Sequence, residues 1–118
     1  MSIPALITQL QQTPNSVEFN QVMNAIANNF DYSATRFSNG PELINEAGTN
    51  EGSCKIFAFA QLMQLDPTQT LACFGRYYRD DVLLHPEGND HANIRAFIKH
   101  GWQGIQFEGV ALVNRENA

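Results

Sequence analysis

The stretch Asn50-Glu51-Gly52-Ser53-Cys54-Lys55-Ile56-Phe57-Ala58-Phe59-Ala60 decides the fold, because a polar, glycine-containing turn runs directly into an unbroken apolar run. Ser53 reads as the N-cap of a helix that continues through Lys55, Ala58, Leu62 and Leu65. A helix apolar almost all round belongs inside the molecule, with the other elements packed about it. Its start also carries chemistry. First-turn N–H groups have no intrahelical acceptor and bear a partial positive charge, which favours a thiolate over a thiol at Cys54. The plain alternative is a small buried residue at an internal helix start, where free cysteines commonly sit.

Upstream of this helix, residues 42–52 are polar and read as a loop whose Asn45, Gly48, Asn50 and Gly52 suit positive φ. Residues 32–39 alternate and favour an extended segment, closed by Asn39-Gly40-Pro41. Two amphipathic helices precede it. The first carries Ile3, Leu6, Ile7 and Leu10 and ends near Thr13-Pro14; the second is capped by Ser16 and carries Val22, Met23 and Ile26 to about Asn29. Downstream, Asp66-Pro67-Thr68-Gln69 combines a cap, a first-turn proline and a capping-box glutamine, predicting a helix through Leu71, Phe74 and Tyr78 towards His85-Pro86. After the turn at residues 86–90, His91, Ile94, Phe97 and Ile98 recur at helical spacing, which turns His91 to the core side until His100-Gly101 ends the helix. Residues 105–108 and 110–113 read as short strands around Gly109. The predicted fold is α+β, one mainly helical domain over residues 1–118 with a small antiparallel sheet that recruits residues 32–39.

Composition narrows the function. The 118 residues carry 43% hydrophobic residues and eight Phe, three Tyr and one Trp, enough to close a core. The net charge is -5 and the basic residues are scattered, so no nucleic-acid partner is expected. The apolar run from Ile56 to Ala60 is far short of the roughly 20 residues that span a bilayer, and Met1-Ser2-Ile3-Pro4 lacks a secretory leader's basic start. A cytoplasmic protein in its producing cell, away from membranes, is expected. Cys54 and Cys73 are too few for a disulfide framework and lack zinc spacing, so both are read as reduced.

The motifs Phe30-Asp31-Tyr32, Phe37-Ser38-Asn39-Gly40, Asn50-Glu51-Gly52-Ser53-Cys54-Lys55, residues 70–79, Asp90-His91, Asn93-Ile94-Arg95 and Gly101-Trp102 together resemble the HopJ type III effector family over about residues 30–112. The resemblance implies delivery by type III secretion and brings no assigned chemistry. The chain departs from an effector pattern at its start, where an ordered helix stands in place of a Ser-rich export signal.

Two function classes follow. One is a binding or interaction module for an unidentified protein or small molecule, with Asn50, Glu51, Lys55, Arg76 and Arg95 as ligand-binding candidates and any pocket expected where the Asn50 turn meets His91. The other is a cysteine-dependent hydrolase or acyltransferase with Cys54 as nucleophile, His91 as base and Asp90 or Glu51 orienting it. A structural reading competes for the charges: Glu51, Lys55, Arg76, Arg79, Asp80, Asp81 and Arg95 form one ion-pair cluster tying the loop to the helices. His85, Asp90 and His91, with Glu87, are the metal-ligating types around one turn. They match no standard ligand spacing, and no metal or other cofactor is expected.

Overall fold

In the computed structural model, which describes residues 2–115, the elements run α1 (Ile3–Gln12), α2 (Phe19–Asn29), β1 (Phe30–Tyr32), β2 (Phe37–Asn39), β3 (Leu43–Asn45), α3 (Glu51–Leu62), α4 (Pro67–Ala72), α5 (Ala92–His100), β4 (Ile105–Phe107) and β5 (Leu112–Asn114). Short 3-10 turns occupy Pro14–Ser16 and Gly101–Gly104, and a π-helical segment spans Tyr77–Val82. Met1 and residues 116–118, at the ends of the expected domain, lie outside the described residues. The α+β class holds. No helix among the described residues is long and apolar enough to cross a membrane.

The 50–60 stretch forms the buried centre. Ile56, Phe57, Phe59 and Ala60 of α3 are fully buried, and Phe57 lies within 5.0 to 6.4 Å, centroid to centroid, of Phe37, Phe74, Phe97 and Trp102. One side chain thus joins β2, the segment after α4, α5 and the turn that follows it. The Trp102 indole N–H is satisfied by the Leu65 carbonyl at 3.1 Å, so its ring packs without stranding a donor. α1 contributes Leu6 and Leu10 and α2 contributes Val22, Ala25 and Ile26 to the same core.

Several boundaries differ from the sequence reading, each for a local reason. α3 starts three residues earlier than a Ser53 cap implies. Asn50 turns the chain in the left-handed conformation, φ 49°, which asparagine tolerates better than most residues. α2 is capped not by Ser16 but by Glu18, whose backbone N–H donates to the Gln21 side chain at 3.2 Å, while Pro14–Ser16 is spent in a tight turn. The helix opened by Asp66 and closed into a capping box by Gln69 is short. Gly75, at φ +61°, breaks it, and a Cβ there would lie 2.7 Å from the Phe19 backbone nitrogen. Close backbone approach and positive φ both demand glycine.

The single expected sheet is two. β1 pairs antiparallel with β5, Asp31 opposite Val113, while β2 is the centre of a β3-β2-β4 sheet with Phe37 opposite both Asn45 and Phe107. Residues 32–39 therefore supply strands to different sheets, and so do residues 105–113. The expected 42–52 loop begins with strand β3, folded back on β2 through Gly40 at φ +82°.

Candidate functional site at two converging helix starts

The starts of α3 and α5 meet across one cavity of about 390 Å³, bordered by Asn50, Gly52 and Ser53 on one side and His91, Ala92, Asn93 and Ile94 on the other. Phe19, Phe74 and Tyr77 complete its wall. Phe19 meets Tyr77 edge-on at 5.1 Å, and Tyr77 lies against the His91 ring at 5.2 Å, so the aromatic side is continuous.

Both helices begin in the same unusual way. Asn50 and His91 occupy the cap positions in left-handed conformation, φ 49° and φ 51°, and neither start is closed by a side-chain cap. The first-turn N–H groups therefore keep their hydrogen-bonding capacity beside the cavity. The Ser53 hydroxyl, also on its border, has no hydrogen-bond partner among the described residues. Two helix dipoles add partial positive charge to the same space, each worth about 0.3–1 kcal/mol to a nearby anion.

A buried asparagine network holds the two starts together. Asn93 Oδ1 accepts from Asn39 Nδ2 at 3.0 Å and from Asn45 Nδ2 at 2.9 Å, while Asn93 Nδ2 donates to Asn45 Oδ1 at 2.9 Å. Asn50 Nδ2 donates to that same Asn45 oxygen at 2.8 Å. Asn39 Nδ2 also reaches the Asn93 carbonyl at 2.8 Å, which fixes its amide orientation, because the reverse would set two acceptors face to face. Among the described residues Asn39 Oδ1 is buried without a donor, a cost of about 1–3 kcal/mol that the rest of the network must offset. The network runs from β2 and β3 through α5 to the cap of α3.

A family model described as HopJ type III effector protein matches residues 3–112. The chain belongs to the HopJ type III effector family. It is also similar to a solved structure titled as the crystal structure of an unknown-function protein, VPA0580, with 50% identity and a TM-score of 0.95 over 98% of this chain and 95% of that one. No curated protein matches it.

In this HopJ-family protein the expected site residues divide between two sides of α3. Glu51, Cys54 and Lys55, spaced three and four apart, share the face turned towards Tyr32. The Lys55 ammonium lies 4.8 Å over the Tyr32 ring, and the Tyr32 hydroxyl is buried beside Cys54 and Glu51 without a hydrogen bond of normal geometry among the described residues. Burial first, and Cys54 next, raise that phenol well above its usual range. The Cys54 thiol contacts the Thr35 carbonyl at 3.6 Å and is 1% exposed. Burial pushes its pKa up, and this outweighs the lowering by Tyr32, Thr35 and Lys55. That environment favours thiol rather than thiolate. Cys73, fully buried just past the end of α4, is pushed up to about 12 by burial alone.

Of the expected ligand-binding residues, Asn50 borders the cavity. His91 borders it too, but the structure does not bring it to Cys54: its Nε2 lies 2.9 Å from Asp81 Oδ2 and 3.8 Å from Asp90 Oδ2. His91 is thus half-buried at a rim rather than turned into the core. Arg95 is committed to the 85–90 turn, donating to the Asp90 carbonyl at 2.7 Å, the Asp90 carboxylate at 2.6 Å and the His85 carbonyl at 2.9 Å. The hydrogen bond from Arg95 is the main cause holding the Asp90 carboxyl below the usual carboxylate range. Arg76 is largely exposed, 3.7 Å from Glu18, on an adjoining smaller groove. Arg79 anchors α2, donating to the Val17 carbonyl at 2.7 Å.

The expected single charged cluster resolves into these separate contacts. Asn39, Asn93, Phe19 and Asp81 are not candidate site residues in the sequence reading. The signal available for the asparagines was their repeated placement beside turns and helix starts, which reads equally well as ordinary loop chemistry.

Proposed function

We propose that this HopJ-family protein is a binding module whose ligand is small, carries a carboxylate or phosphate group, and has a flat apolar part. The observation that carries the reading is the opening of two uncapped helix starts into one aromatic-walled cavity of about 390 Å³. That volume suits a small organic molecule. The anionic group accepts from the free N–H groups and Ser53, and the flat part lies along Tyr77 and Phe19.

Asp81 and Asp90 stand near the rim and oppose an anion, but their side chains are 48% and 58% exposed, so water and salt weaken their field. Direct hydrogen bonds to a charged acceptor, about 1.5–3 kcal/mol each, outweigh that screened repulsion. Another cavity, of about 440 Å³ beside Gly40, Ile44 and His100, is larger, but no Phe, Tyr or Trp ring lines it.

Calorimetry with matched aromatic carboxylates, aryl phosphates and their neutral esters tests the reading. The acids bind at least tenfold more tightly than the esters, and Gly52→Leu, whose side chain grows towards the Phe19 ring, abolishes binding while Cys54→Ala preserves it. Equal affinity for acids and esters, or loss of binding in Cys54→Ala, sinks the proposal.

Family membership supports type III delivery as the second part of the reading. α1 seats Leu6 and Leu10 in the core, so export requires that helix to undock. A translocation reporter fused after the chain should give a recipient-cell signal that disappears with the secretion apparatus. A signal indifferent to that apparatus counts against delivery.

A further inference from the structure

We propose that Asp81, Asp90 and His91 form an open site for a divalent transition-metal ion at the rim of the cavity. The three residues come from two places, Asp81 from the π-helical segment after Gly75 and Asp90 and His91 from the turn before α5, and each presents a ligand atom within 4.8 Å of the other two. His91 Nε2 stands 2.9 Å from Asp81 Oδ2 and 3.8 Å from Asp90 Oδ2. Two ligands at a tetrahedral angle on a cation with bonds of about 2.1 Å are about 3.4 Å apart, so both pairs that include His91 stand within about half an ångström of that spacing, and rotation of the two exposed carboxylates, which lie within 4.8 Å of each other, closes the set on the ion.

The surroundings hold the donors as a metal site requires. Arg95 Nη2 grips Asp90 Oδ1 at 2.6 Å, leaving Oδ2 as the oxygen turned to His91. The imidazole is steadied against Tyr77 at 5.2 Å. Such outer partners orient ligands and tune affinity. The set mixes one imidazole with two carboxylates, which suits Zn²⁺ or Mn²⁺ better than a soft thiophilic ion. Three protein ligands leave positions open, and His91 itself borders the cavity, so the open side of the ion faces the space where a ligand enters. This set differs from the turn-confined group expected from sequence: Asp81, ten residues before His91, replaces His85 and Glu87, and His85 supplies only its backbone carbonyl to Arg95.

The proposal stands independently of what the cavity binds, and the ion alone tests it. Zn²⁺ and Mn²⁺ are titrated into metal-stripped full-length protein by calorimetry. One equivalent binds, and Asp81→Asn and His91→Gln each weaken it at least tenfold while melting curves show the variants folded. A second readout uses the native chain. Long-range ¹H–¹⁵N spectra, assigned with His85→Gln and His100→Gln, show Zn²⁺ shifting Nε2 of His91. Absence of stoichiometric binding, undiminished binding in both site variants, or a shift at His85 or His100 instead overturns it.

Discussion

Cys54 shows how a residue in a reactive-looking position is turned into the interior by the phase of its helix. The α3 start would favour a thiolate, but the side chain points to Tyr32 and Thr35, where burial dominates. Because the folded-state pKa values of Cys54 and Tyr32 are raised, the folded chain keeps these protons longer than the unfolded one. The associated stability is therefore complete below the unfolded thiol value of about 8.5 and falls as pH rises above it, by up to about 1.4 kcal/mol per pH unit per thiol. Urea midpoints should drop between pH 7 and pH 10, less steeply in Cys54→Ala. Native Cys54 should also alkylate slowly at neutral pH, and rapid alkylation there would restore the nucleophile reading. Asn93 has the opposite standing, being inconspicuous in sequence and central in the structure. Asn93→Ala strands Asn45 Nδ2 without its acceptor, while Asn45 Oδ1 keeps Asn50 and Asn39 Nδ2 keeps the residue-93 carbonyl, and should cost about 1–3 kcal/mol, read by denaturant unfolding.

Elements were legible in the sequence where one local signal decided them. α1 ends at Thr13-Pro14, α4 opens with its Asp66-Pro67-Gln69 box, and α5 stops at His100-Gly101, because caps, prolines and glycines act within one turn. Where partners decide, the reading failed. Residues 32–39 look like one strand, yet β1 and β2 separate because β5 and β4, some seventy residues on, claim them for different sheets. The helix after Asp66 looks continuous because Gly75 is costly but permitted in a helix; the Phe19 backbone pressed against it is what makes the break obligatory. Gly75→Ala should therefore destabilise by more than the roughly 1–2 kcal/mol of a left-handed alanine, with the added clash against α2. A thermal melt unchanged from the parent would refute that account of the α4 break.

At the level of the whole molecule, the fold brings the starts of two helices, distant in sequence, to one cavity and ties them with asparagines from β2 and β3. The turn at residues 50–53 and His91 were each conspicuous in the sequence, and the cavity lies where they meet. The site's polarity was not legible, because a three-residue error in the α3 start hides which side chains face His91 and which face Tyr32. The most direct measurement is backbone amide mapping by NMR during titration with an aromatic carboxylate. The account predicts that the amides of Gly52, Ser53, Asn93 and Ile94 shift together and saturate at one equivalent. Shifts centred on Gly40 and His100, or none at the two helix starts, would contradict it.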